Sequence, residues 1–299
     1  MPSSSPVDAD RETIDANLRR HVEALAGTIG VRHLDVPGSV ELCLAYLREQ
    51  WHDRDVRDES FPIGEHTATN LIVESPGTRR AKELIVLGAH YDTVLDSPGA
   101  DDNASAVAVL LEVARLLASH TGQRTARYVA FACEEAPYSE TDDMGSQHHA
   151  RGARERGETI AAMLALEMVG FFTDEPNSQR LPPGIPWWAR PVFPKRGNFL
   201  AAVANPPSWR LAARCWWSFR RATTRRLFPV CLPESIRDIR RSDHSSFWDQ
   251  GFPAAMLTDT SYLRNPHYHQ PSDTPARLDF AAMTDVTLGV AAIMRSLLK

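Results

Sequence analysis

The sequence has no pair of cysteines spaced to clamp a structural zinc ion. Its four cysteines (Cys43, Cys133, Cys215 and Cys231) are scattered and none stands in a CxxC motif, which argues against a zinc ribbon and against a small disulfide scaffold. Cys43, inside "ELCLAYL", reads as a core residue, and Cys215 and Cys231 read as reduced packing residues rather than a disulfide. Basic charge is also scarce. The 33 Lys and Arg stand against 38 Asp and Glu, a net charge of −5, so the chain offers no basic footprint for nucleic acid. No stretch approaches about 18 uninterrupted apolar residues, and no membrane span is expected. The first residues, "MPSSSPVDADRETIDANLRRHVEAL", lack the apolar region of a signal peptide, so a soluble cytoplasmic protein is expected. There is no internal repeat and no signal for an oligomeric state.

What the 299 residues do contain is an apolar fraction of 43%, enough for one large core or two ordinary ones. Residues 1–14 read as a flexible polar leader, and 15–299 as one domain. "DANLRRHVEALAG" places Leu18, Val22 and Leu25 at helical spacing with Gly27 as a stop, and "SVELCLAYLREQW" reads as a second helix. The texture then changes. "NLIVES", "ELIVLGAH", "ARYVAFACEE", "AMLALEMVG" and "PAAMLTDT" are short apolar runs without alternation, as expected of strands buried on both faces. Helical patterns in "SAVAVLLEVARLLASH", "SWRLAARCWWSFRRATTRR" and "AAMTDVTLGVAAIMRSLLK" intervene, which predicts an α/β architecture with a mostly parallel sheet. One stretch breaks the rhythm: residues 180–198 hold five prolines and two tryptophans. A lid or specificity loop is one reading, and a surface excursion tacked down by Trp187 and Trp188 is the other.

Polar residues fall at the ends of the apolar runs. "LIVLGA" ends in His90, "YVAFAC" in Glu134 and Glu135, and "MLAL" in Glu167. In open α/β sheets ligands bind beyond the carboxyl ends of the strands, so three strands delivering metal-type ligands there outweigh any one of them. Within "HYDTVLDSPGADDNAS" four carboxylates (Asp92, Asp96, Asp101 and Asp102) crowd one imidazole, which a divalent cation makes favourable. A role for Asp102 as the cap of the helix near Ser105 explains one of them and leaves Asp101 unexplained. Imidazole and carboxylate without thiolate suit catalytic zinc, cobalt or manganese. Of Glu134 and Glu135, one can bind metal and the other serve as a base, and spacing does not assign them. Downstream, His244 reads as a fold-supporting hydrogen bonder, His267 as a loop residue and His269 as a loop tip, for which a ligand reading stands beside the loop reading because the other clusters lack a second imidazole.

Taken in order, "HYDTV…PGADDNASAVAVLLE", "FACEEAP…MGS", "LALEMVG", "SDHSSFW" and "YHQPSDT" resemble the M28 family of co-catalytic zinc peptidases, the bacterial leucyl-aminopeptidase type, over roughly residues 15–299. The resemblance implies a three-layer α/β/α sandwich around a mixed, mostly parallel sheet, and two zinc ions bridged by one carboxylate. It assigns Asp102 as the bridge, His90 and Glu167 to one ion, Glu135 and His269 to the other, Glu134 as general base and Asp92 as the residue that orients His90. Members often carry Asp where this chain has Glu167, and Gly where it has Ala106. The implied activity is release of the N-terminal residue of a peptide substrate whose free α-amine is recognised near the metals. Phe171, Phe172, Trp187, Trp188, Phe247, Trp248 and Tyr262 are the candidates for a side-chain pocket, which would favour an apolar residue. Glutaminyl cyclisation or N-acyl deacylation on the same scaffold is the alternative, and a non-catalytic binding module a second one.

Overall fold

In the computed structural model, which describes residues 6–299 and the side chains from Asp10 onward, eight strands form one sheet. Across it they run β1 (Arg57–Ile63), β2 (His66–Ser75), β4 (Arg124–Phe131), β3 (Arg80–His90), β5 (Thr159–Glu167), β8 (Ala254–Thr258), β6 (Phe199–Ala204) and β7 (Arg226–Cys231). The pairs β3–β4, β3–β5, β5–β8 and β6–β7 are parallel, and β1–β2, β2–β4 and β6–β8 antiparallel. Successive residues of β3 feed opposite layers. Ile85 and Leu87 pack under α1 (Pro6–Val22), α2 (Ser39–Gln50), α3 (Ala106–Leu116), α5 (Trp209–Phe219) and α7 (Phe280–Leu297), while Leu84 and Val86 face α4 (Gly145–Glu155) and α6 (His244–Asp249). The result is the expected three-layer α/β/α sandwich. By length and composition α7 is apolar enough to cross a membrane, but it lies in the larger core against α1, α3 and α5.

The five apolar runs are all strands. Three strands were not legible. β1 is polar along most of its length and lies at the sheet edge, β6 is only six residues long, and β7 carries Pro229, which a terminal strand tolerates. The helix expected across "SWRLAARCWWSFRRATTRR" stops at Phe219, because its apolar spacing ends there and the chain must turn to start β7. The described part of the segment expected to be a flexible leader is helical: α1 starts at Pro6, Ile14 is fully buried, and Arg11 pairs with Asp285 of α7 at 2.7 Å. Residues 1–5 lie outside the described part. Gly27 does not stop the first helix, which continues as a π-helical turn over Glu23–Ile29 and closes at Gly30, where φ is +77°. All four cysteines are free thiols, and Cys231 is exposed rather than packed.

Candidate metal centre and its cavity

The site grows from the carboxyl edge of β4, β3 and β5. His90 and Glu167 are the last residues of two adjacent parallel strands, so the register alone sets them side by side. Glu134 and Glu135 follow the end of β4 after a turn at Cys133 (φ +58°), and Asp102 sits in a kinked turn before α3. His269, with φ +56°, arrives from the chain after β8. His90 Nε2 lies 3.5 Å from Asp102 Oδ1 and 3.3 Å from Glu167 Oε2. His269 Nε2 lies 3.2 Å from Asp102 Oδ2 and 3.1 Å from Glu135 Oε2. These are two clusters of metal-type ligands that share one carboxylate. The longer Glu167 reaches the cluster without difficulty, its Oε2 also accepting from Ser242 Oγ at 2.8 Å.

Burial sets the charge balance. Asp102, Glu134, Glu135 and Glu167 are all under 9% exposed, and His90 is fully enclosed. Burial, and then the charges of Glu167 and Glu135 against the opposing His90, push the Glu134 carboxyl well above the ordinary range. Burial and the neighbouring Asp102 raise Glu135 to about 8. Burial would lower His269, but its hydrogen bonds to Asp102 and Glu135 prevail and raise it to about 10. His90 rises likewise, and the two imidazoles hold Asp102 below the usual carboxylate range despite its burial. Four buried carboxylates thus require positive charge between them. Both ring nitrogens of His90 and Oδ1 of Asp102 are buried without a hydrogen-bond partner, a cost of about 1–3 kcal/mol each that cation coordination removes. The residues fit a pair of divalent cations.

A second set of side chains holds this set in place. Asp92 lies 3.4 Å from His90 Nδ1 and accepts from the backbone N–H groups of Glu134 (3.1 Å) and Glu135 (3.0 Å), fixing three of the site residues at once. Asp101 does not join the cluster. It accepts from Gly170 N at 2.9 Å and Asn265 Nδ2 at 2.7 Å, tying the ends of β5 and β8 together. Asp96 is exposed. Asp102 does not cap α3 either. The acceptor for the backbone N–H groups of Asp101 and Asp102 is Asp273, at 3.0–3.1 Å. Asn103 clamps the same turn to β5, donating to Leu166 O and accepting from Met168 N. Gly99 has φ +58°, and a Cβ there would lie 2.1 Å from Asp102 O, so only glycine serves. Arg32, fully buried, donates to the carbonyls of Leu25, Gly30, Tyr91, Pro98 and Gly99 and so fixes both ends of the loop before Asp102. Asp273 and Asn103 lie in motifs quoted above. Arg32 carries no sequence signal, being one arginine among many. Asp243, in "SDHSSFW", is buried beside His90 and Glu167 with its carboxyl pushed up to about 7 by burial.

A cavity of about 340 Å³ opens on the cluster. One wall is Asp102, Glu134, Glu135, Glu167 and His269, and the other is apolar, built from Phe199 and Val203 of β6, Phe228 and Val230 of β7, and Phe193. Of the expected pocket residues only Tyr262 lines it. Phe247 is fully buried against Phe131 and Phe252, and Trp248 packs edge-on to His244 while donating to Ala254 O. They are core because α6 turns its apolar face to the sheet. Phe171 meets His267 edge to face, and Phe172 lies beneath Arg225 and Arg264. Trp187 and Trp188 are 80% and 68% exposed and neither tack the 180–198 stretch down nor touch the cavity. Ile185 anchors that stretch instead, and Leu181, Pro182, Phe193 and Pro194 contribute to the cavity. His244 is the expected hydrogen bonder, its Nε2 2.7 Å from Ile239 O, and His267 bonds Ser272 in its loop.

A shared acid between two histidine-and-carboxylate groups, with a further glutamate held 3.7 Å from His90, needs no side-chain nucleophile. That chemistry and this sheet define a metallopeptidase. The family model "Peptidase family M28" matches residues 70–294, which include every ligand position, and the chain belongs to that family. It is 32% identical to the protein YfbL of Escherichia coli (strain K12), over 95% of this chain and 88% of that one. A probable leucine aminopeptidase of Arthroderma otae is 26% identical over 76% of this chain, which spans only 56% of that relative's length. Among solved structures, LapA aminopeptidase of Legionella pneumophila superposes with a TM-score of 0.69 at 21% identity, covering 100% of this chain and 75% of its own. Glutaminyl cyclase of an Acidobacteriales bacterium gives 0.70 at 18% identity, covering 100% and 98%. At these identities the two structures speak for the fold.

Proposed function

We propose that the protein is a di-zinc aminopeptidase that releases an apolar N-terminal residue from peptides. The observation that carries the reading is the bridging position of Asp102, with one oxygen toward His90 and the other toward His269. His90, Asp102 and Glu167 would hold one zinc ion, and Asp102, Glu135 and His269 the other, although cobalt or manganese suits the same donors. When bound, such a pair supplies Lewis acidity to the scissile carbonyl and lowers the pKa of water. Glu134 takes the proton of the attacking water at its carboxylate and returns it to the leaving amine. Asp92 keeps the His90 ring and the Glu134–Glu135 backbone in register. The wall of Phe199, Val203, Phe228 and Val230 receives an apolar side chain.

Glutaminyl cyclisation is the second reading, favoured by a cyclase structure that matches over nearly its whole length. The deciding experiment measures metal content per chain together with hydrolysis of leucyl, phenylalanyl and N-blocked substrates, before and after chelation. Two ions and chelator-sensitive release from unblocked substrates are expected. One ion with cyclisation of glutaminyl peptides, or activity on blocked substrates alone, would overturn the aminopeptidase reading.

A further inference from the structure

Two arginines open onto the same cavity. Arg241 donates from Nη2 to Tyr268 Oη at 3.1 Å and lies over the Tyr262 ring at 5.1 Å. Arg180 donates to the Tyr262 carbonyl. Among the described residues neither guanidinium has an ion pair, although Glu140 and Asp238 line the same cavity. Both arginines are exposed, so they stand at its mouth, whereas the apolar wall lies inside. The link from mouth to metal cluster is short. Tyr268, which holds Arg241, stacks on His269 with ring centroids 3.7 Å apart, and Arg241 lines the same cavity as Glu134.

We propose that Arg241, assisted by Arg180, binds a carboxylate on the leaving side of the substrate, so that the enzyme acts on short peptides that carry an acidic group next to the scissile bond. This rests on the aminopeptidase reading above. A guanidinium is a planar fork that matches a carboxylate with two parallel hydrogen bonds, and one bonded only to a neutral hydroxyl or carbonyl in a substrate cavity keeps donors free to make them. The apolar wall takes the N-terminal side chain, and the next residue points to the mouth. In a dipeptide the terminal carboxylate follows the cleaved bond by one residue, roughly 3.5 Å of chain, which suits the single layer of Tyr268 between Arg241 and His269. The carboxylate can be the α-carboxylate of a dipeptide or the side chain of an acidic second residue.

The test compares Leu-Phe, Leu-Phe-amide and Leu-Glu-amide on the zinc-loaded enzyme and on R241A and R241K. The wild type is expected to prefer Leu-Phe to its amide at least tenfold in kcat/KM, chiefly through KM. R241A should bring that ratio below about twofold, with R241K between. Leu-Glu-amide cleaved as well as Leu-Phe assigns the site to an acidic side chain, and cleaved as slowly as Leu-Phe-amide assigns it to the α-carboxylate. Titration calorimetry of E134Q with Leu-Phe and its amide should show the same preference in affinity, lost when R241A is added. Equal rates on all three peptides, or R241A slowing all three alike, would overturn the proposal while leaving the aminopeptidase reading intact. Cleavage of none of the three would remove both.

Discussion

On the wall formed by the ends of β3, β4 and β5, buried polar groups hold the ligand residues, mostly through their backbone N–H groups. Asp92 fixes Glu134 and Glu135, Asp273 fixes the turn at Asp102, and Ser242 fixes Glu167. The facing wall has no such network. Phe193, Phe199 and Phe228 are held by one another, with ring centroids 5.7–5.9 Å apart. The first arrangement is all-or-none, because a buried polar group that loses its partner carries the full desolvation penalty. The second is graded, because apolar contact scales with area. In the proposed function, chemistry falls to the wall that cannot drift and selectivity to the wall that tolerates change.

The comparison is sharpened most by Glu134→Gln. Zinc content should be unchanged while kcat falls by roughly two to four decades, the usual share of a general acid–base group. A variant that keeps full activity would remove Glu134 from its role. Next in size is Arg32→Ala, remote from the cavity. Five carbonyls lose a buried cationic donor, so urea unfolding should show a loss of about 3 kcal/mol or more. A loss below about 1 kcal/mol would mean that the loop before Asp102 holds itself. On the apolar wall the expected effect is smaller: Phe228→Ala should narrow the preference for leucyl over alanyl substrates by about tenfold, with metal content intact. If metal is lost too, the walls are not independent. The smallest effect belongs to Trp187→Ser with Trp188→Ser. Both side chains are mostly in solvent, so thermal unfolding and leucyl hydrolysis should match the parent, within about 0.5 kcal/mol for stability.

The two walls also differ in how far the sequence discloses them. The polar wall is legible because its residues are rare in apolar runs and fall where strands end: His90, Glu134, Glu135, Glu167 and Asp102 all stand out, and the structure brings them together. The apolar wall is hidden because its residues look like any core. "FW" at 247 and 248 and "WW" at 187 and 188 are more conspicuous than "FLAAVA" or "RLFPVC", yet the latter two line the cavity. Phe199 and Phe228 matter because β6 and β7 extend the sheet past β8, and no local pattern predicts that extension. Asp101 and Asp102 make the same point at the scale of one residue. Their side chains are identical and both buried, but the kink at Asp102, where φ is −106° and ψ is 86°, sends one to the ligand cluster and the other to Gly170 and Asn265.

By itself, then, the sequence determined the alternation of strands and helices and the chemistry of the ligands, because hydrophobic period and donor type are local properties of the chain. Which of two adjacent acids faces the ligand cluster, which aromatics leave the core to line a cavity, and which arginines stand at its mouth were decided only in the tertiary structure. Each of those depends on what residues distant in the chain bring alongside, as Asp273 does for Asp102 and Tyr262 for Arg180.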